Sequence, residues 1–208
     1  MKKLDLRKDL KYLYQPSAKE VELVRVPKFN YLMVDGVGDP NGSQMFHDAA
    51  QALYTLAYTL KFMIRNDMKI DYPVMALEGL WWTGDATSFD MENRSGWKWT
   101  LMILQPAIVT KALFKKGVKL AIEKKGLPML SNVRLEALKE GLAVQIMHIG
   151  PYAAEGPTLQ KLHAEALKRA CIPNGKHHEI YFGDPRKTKP EKLKTVLRQP
   201  ISKAPPAL

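Results

Sequence analysis

The 208-residue chain is 46% hydrophobic and 25% charged, a composition that fits one folded soluble domain and excludes wholesale disorder and fibrous repeats. Lys and Arg number 32 against 21 Asp and Glu, a formal +11, but the lysines are spread out, with Glu123 and Glu191 interleaved and no aromatic or Arg/Gly-rich pattern beside them. A solvated basic surface is therefore expected, with no direct nucleic-acid partner. Cys171 is the single cysteine, which excludes an internal disulfide and a multi-thiolate zinc site and suits a reducing cytoplasm; acids interrupt the opening Met1–Asp9 stretch and no apolar run approaches about 18 residues, so neither export nor a membrane span is expected.

After a polar leader ending at Pro16 and Ser17, residues 21–26 and 31–34 read as two short strands separated by Pro27. The loop Gly36–Gly42 follows, and Ser43 is the expected N-cap of a helix to about Asn66, with Phe46, Ala50, Leu53, Ala57, Leu60 and Ile64 at helical spacing. Val74–Trp82 and Trp97–Leu104 are the next strands, and residues 108–125 form a basic amphipathic helix stopped by Gly126 and Pro128. The order then recurs: strands at 134–137 and 141–149, a helix at 158–170, strands at 179–182 and 195–198.

The reading is thus α+β: two β-α-β-β modules, about 18–105 and about 130–202, joined by the helix at 108–125. Each is too small to bury its own helix face, so the two share one core, with a ligand cleft between the copies.

Strand alternation sorts His177, Glu179 and Tyr181 onto one face and His178, Ile180 and Phe182 onto the other. If Ile180 and Phe182 lie under the helices, Glu179 and Tyr181 form a site on the opposite face. The matching first-half strand groups Glu78 with Val74, Ala76, Leu80 and Trp82, a carboxylate among apolar neighbours. All four tryptophans, Trp81, Trp82, Trp97 and Trp99, fall on two neighbouring strands; they serve either a core or the aromatic wall of a site for planar or cationic ligands.

Other candidates have plain alternatives. His177 and His178 point to opposite faces and lack a second ligand cluster, so no metal is expected. His148 is a hydrogen-bonded core histidine or a general base, and Tyr152 a helix anchor or a pocket lip. Glu155 reads as a helix N-terminal charge, Cys171 as inert packing. Gly36-x-Gly38 lacks the remaining residues of a phosphate loop.

Taken together, Leu77-Glu78-Gly79-Leu80-Trp81-Trp82, Glu140-Gly141, His148-Ile149-Gly150-Pro151-Tyr152, Glu155-Gly156-Pro157-Thr158, His177-His178-Glu179-Ile180-Tyr181 with Asp184-Pro185-Arg186, and Lys194-Thr195 to Arg198 and Pro200 resemble the GyrI-like small-molecule-binding family. The resemblance spans nearly the whole chain and is nearest to the stand-alone branch that is similar to cyclopropanoid cyclopropyl hydrolases. It implies an antiparallel fold of two β-α-β-β modules related by a pseudo-twofold, a cleft between them, no cofactor, and a hydrophobic planar or cationic small molecule as partner. Related effector domains of transcription activators hold lipophilic cations with a buried glutamate, which Glu179 matches by motif; the early first strand leaves no room here for their DNA-binding module.

In the hydrolase branch the implied chemistry is water addition to the electrophilic cyclopropane of a DNA-alkylating toxin. On that reading Glu179 is the base, Tyr152 or Tyr181 orients water or donates to the ligand, and Trp82, Trp97 and Trp99 sandwich a flat body, with Glu78 and His148 added to the ligand-binding set. The alternative is a sponge that sequesters hydrophobic or cationic compounds without turnover, and a third reading is an inhibitory partner of a topoisomerase.

Overall fold

The structure, a computed structural model, describes residues 1–85, 87, 89 and 94–205. In chain order the elements are β1 (Lys2–Lys3), α1 (Leu6–Asp9), α2 (Lys11–Tyr14), β2 (Glu22–Val37), α3 (Gln44–Met68), β3 (Ile70–Asp71), β4 (Leu77–Trp82), β5 (Lys98–Gln105), α4 (Lys111–Lys125), β6 (Arg134–Ile149), α5 (Gly156–Lys168), β7 (Cys171–Pro173), β8 (His177–Phe182) and β9 (Lys194–Lys203). The α+β reading holds, and the order strand, helix, strand, strand occurs twice, as β2-α3-β4-β5 and β6-α5-β8-β9.

The main sheet is antiparallel throughout, in the order β6-β2-β5-β4-β8-β9-β7, and β6 also pairs with β9. That extra pairing curls six strands into a barrel-like sheet, which leaves few open edges. Pro27 does not divide two strands. It lies within β2, and the ladder to β6 runs on either side of it, Val26 opposite Gly141 and Lys28 opposite Lys139. A proline removes only one donor from a ladder, and the flanking pairs hold the register.

Likewise 134–149 is one strand, with Gly141 at φ 77° where two strands were expected. This glycine has a visible effect. Glu140 and Gln145, five positions apart, would face opposite ways in a regular strand, yet both hydrogen-bond Arg198.

The helices pack on the outer face. Side chains from α3, Ala49, Leu53, Leu56 and Leu60, are fully buried in the same core as Leu32, Val34, Leu101 and Ile103 of β2 and β5. Leu159, Leu162 and Ala166 of α5 form a second cluster with Val144, Ile146 and Leu197. Ser43 caps α3, its hydroxyl accepting from Phe46 N at 3.3 Å, and Thr110 caps α4.

Glu179 pairs with Leu197 across β8 and β9, so it lies on the face that the helices cover. This reverses the expected sidedness. Ile180 and Phe182 do not lie under the helices; Ile180, opposite Glu78 on β4, points into the barrel. The apolar helix-facing layer comes mainly from the neighbouring strands, which leaves β8 free to turn its polar residues outward into a gap between α3 and α5.

The leader is more than a polar tail. Leu13 and Tyr14 are buried, and the main chain there closes one end of the barrel: Leu13 O accepts from Arg198 at 2.7 Å and Tyr12 O from Gln145 at 2.7 Å. Inside, Tyr14 donates to Glu78 at 2.5 Å, His178 bridges Glu78 and Glu140 at 2.9 Å each, and Arg198 reaches Glu140 at 3.2 Å. Both imidazole nitrogens face carboxylates, and the Glu140 charge with the hydrogen bonds to Glu140 and Glu78 favours the protonated ring against its burial.

No helix among the described residues is long and apolar enough to cross a membrane.

Candidate functional site

A cleft of about 1850 Å³ opens between α3, the outer face of β4 and β8, and the turn that leads into α5. Aromatic side chains make its walls: Phe46 and Tyr54 from α3, Trp81 from β4, Trp97 beside β5, Tyr152 from the turn and Tyr181 from β8. Phe46 lies nearly parallel to Trp81 at 6.1 Å, and Trp97 meets Trp81 edge-on at 5.4 Å. Surfaces of this kind bind flat apolar bodies by stacking.

The polar groups converge on Glu179, which is 8% exposed. Trp81 Nε1 donates to the Tyr181 oxygen at 2.8 Å, and Tyr181 in turn donates to Glu179 Oε2 at 2.7 Å. Burial, then the Glu179 charge, drives the Tyr181 phenol well above its ordinary value, so it stays a donor. The other carboxylate oxygen, Oε1, lies 3.4 Å from His177 Nε2, and the His177 ring stacks on Phe89 at 5.1 Å. One oxygen is thus fixed by Tyr181 and the other lies beside His177.

Gly79, opposite Glu179 on β4, makes this possible. A Cβ there would lie 2.7 Å from Trp81 Nε1 and 2.9 Å from the Tyr181 oxygen. The glycine is the hollow in which indole and phenol meet.

Tyr152 packs its ring edge-on against Tyr181 at 5.8 Å. Burial, followed by the charges of Glu155, Glu179 and Asp184, pushes its phenol up to about 12, so it too is neutral and able to donate.

Glu155 is the second carboxylate of the cleft. It is 3% exposed, and its Oε1 has no hydrogen-bond partner among the described residues. Burial first, and the nearby Glu179 charge second, raise its pKa far above the carboxylate range and outweigh the lowering by the Thr195 hydroxyl.

Of the residues named from sequence, Glu179, Tyr152, Tyr181 and Trp97 line the cleft. Four others lie elsewhere. Glu78 is inside the barrel, between the apolar cross-strand partners Met102 and Ile180 and held by Tyr14 and His178. Trp99 is fully buried beneath the cleft wall, edge-on to Phe46 at 5.3 Å, where the absent side chain of Gly36 leaves it room. Trp82 faces away, with Lys176 Nζ 3.4 Å over its ring. His148 ties down the turn, Nδ1 to Thr158 Oγ1 at 3.0 Å and Nε2 to Pro151 O at 3.3 Å; it positions Tyr152 and Glu155 from behind.

Sequence reasoning passed over Trp81, Phe46 and Glu155. Aligning Glu78 with Glu179 as equivalents put the wrong set of alternating residues on the cleft face; the register sets Gly79 against Glu179 and Trp81 against His177. The signal for Glu155 was the Glu-Gly-Pro order, because Pro157 has no N–H to offer a capping carboxylate. Among the described residues no group of three or more His, Cys, Asp or Glu could hold a metal ion.

A model of the GyrI-like small molecule binding domain matches residues 19–202. Among solved structures, an uncharacterized conserved protein from Listeria innocua is 39% identical with a TM-score of 0.88, over 96% of this chain and all (100%) of that one. A hydrolase from L. innocua is 37% identical with a TM-score of 0.83, again over 96% of this chain and 100% of the other. The EcmrR C-terminal domain, 11% identical with a TM-score of 0.55 over 89% of this chain and 98% of that one, shares the fold. A search of curated proteins finds no match.

Proposed function

The chain belongs to the GyrI-like small-molecule-binding family, and from that premise we propose that its cleft takes a flat, cyclopropane-bearing alkylating compound and adds water to the strained ring. The observation that carries this reading is the Glu179 carboxylate, buried among aromatic walls with Oε2 held by Tyr181 at 2.7 Å. The likeness to a hydrolase at 37% identity supports turnover over mere binding.

In this mechanism the ligand's planar body stacks on Trp81, Phe46 and Trp97, which sets the cyclopropane near Glu179. A water on Oε1 loses its proton to the carboxylate as its oxygen attacks a ring carbon. The ring C–C bond breaks, and its electron pair moves into the conjugated carbonyl of the ligand. Tyr181, anchored by Trp81, keeps Glu179 in one orientation, while Tyr152 at the lip orients ligand or water. General-base assistance of this type contributes about 10²–10⁴ in rate. Mass spectrometry after incubation with a cyclopropane-containing alkylator tests the reading: a water adduct formed in excess over protein is expected.

The breadth of the cleft, with two carboxylates facing aromatic rings, favours a second reading, in which the protein sequesters hydrophobic cations without altering them. Stoichiometric recovery of unchanged alkylator in the same experiment would support it.

A further inference from the structure

Glu155 and Glu179 share one cleft but have opposite surroundings. Glu179 has a phenol donor at 2.7 Å and an imidazole nitrogen at 3.4 Å. Glu155 is 3% exposed with Oε1 unpaired among the described residues.

As the residue that precedes α5, Glu155 would ordinarily stay ionised by accepting from the first free N–H groups of the helix. It makes no such side-chain cap; Pro157 offers no N–H, and Glu155 lines the cleft. Two carboxylates in one low-dielectric cleft do not both ionise readily, and Glu155, beside the Thr195 hydroxyl where Glu179 has both Tyr181 and His177, is the one that keeps the proton. Burial of an ionised, unpaired oxygen would be costly, whereas a neutral carboxyl bears it far better.

We infer that Glu155 is the neutral partner of the pair and serves as the acid of the reaction, complementing Glu179 as base. The inference rests on the hydrolase reading and deepens it. Water gives its proton to Glu179 while its oxygen bonds to the ring carbon; the ring bond breaks, its electrons pass to the ligand's carbonyl oxygen, and Glu155 gives that oxygen a proton. The product is the opened alcohol with a hydroxyl where the carbonyl was. The proton gained by Glu179 returns the pair to its starting state by transfer to Glu155. The other titratable groups that face the pair are Tyr152, Tyr181, His177 and Asp184 at the rim, and the two phenols stay neutral through the working range.

Two measurements test this. Infrared difference spectra of the full-length protein at neutral pH are expected to show a protonated-carboxyl C=O band that Glu155→Gln abolishes and Glu179→Gln retains. With the cyclopropane alkylator, Glu155→Gln is expected to lower kcat about 10²-fold at nearly unchanged KM and to remove the alkaline limb of the pH profile. A band that survives in Glu155→Gln, or an unaltered kcat, overturns the inference while the hydrolase reading stands. A wild-type protein that binds the alkylator but never adds water overturns that reading and the acid role together, and the spectrum still decides where the proton sits.

Discussion

At the scale of single residues, the site depends on side chains that are absent as much as on those present. Gly79→Ala puts a methyl within 2.7 Å of the Trp81 nitrogen, so the indole must swing away and the Trp81–Tyr181 bond is lost. The expected outcome is a changed tryptophan fluorescence spectrum and at least a tenfold fall in turnover with the fold retained by circular dichroism. Unaltered fluorescence and rate would show that the indole does not hold Tyr181.

Glu179 and Tyr181 were legible from alternation and motif because a carboxylate and a phenol two apart on a strand must share a face. Trp81 and Phe46 were not. Their part depends on strand register and on where α3 crosses the sheet, and neither is written in local spacing. Glu155 stayed hidden for a different reason, since a glutamate at a helix start carries an ordinary explanation that only burial and an unpaired oxygen overrule.

At the scale of elements, β8 has two functions on its two faces. His177, Glu179 and Tyr181 serve the cleft, while His178 belongs to the barrel interior with Glu78, Glu140 and Arg198. Burial alone would lower the His178 pKa, but the Glu140 charge and the hydrogen bonds to Glu140 and Glu78 raise it above 6.5. Its contribution to stability is complete below the unfolded value near 6.5 and fades as pH rises through the higher folded one. For Glu140, burial would raise the pKa, but His178 and Arg198 bring it from 4.5 to about 2. That contribution is complete above 4.5 and is lost as pH falls through about 2.

Urea midpoints are therefore expected to peak between these limits and decline on both sides, with His178→Gln flattening the alkaline decline. A decline of equal slope in the variant would contradict the assignment. Arg198→Leu leaves Glu140 buried against His178 alone and is expected to cost about 3–5 kcal/mol in the same denaturation measurement. A loss below about 1 kcal/mol would mean that the barrel interior tolerates an unbalanced charge.

At the scale of the whole molecule, the repeated order of elements was readable because helical and strand periodicities switch at glycine and proline punctuation. The α+β class followed from it. Closure of the sheet did not, since the β6–β9 pairing joins strands about 50 residues apart and nothing local in either announces the other. The inner polar cluster was equally out of reach: Glu78, Glu140, His178 and Arg198 sit on four different strands, and Gly141 alters the alternation that would have sorted one of them.

Closure also explains the position of the cleft. The barrel interior holds the buried cluster of Glu78, Glu140, His178 and Arg198, and the cleft is on the outer face, between α3 and the turn that leads into α5. The protein carries +11 overall, and the hollow mixes both signs, with Arg7, Arg94 and Arg186 lining it beside Glu155, Glu179 and Asp184.

The central claim is that Glu179 withdraws a proton from water in that hollow. Single-turnover reaction with a cyclopropane alkylator in isotopically labelled water measures this most directly, by following entry of the label into the ring-opened product for wild type and for Glu179→Gln. The account predicts one labelled oxygen per product molecule and a variant slower by about 10²–10⁴-fold that still binds the compound. Full-rate label uptake by Glu179→Gln would contradict it.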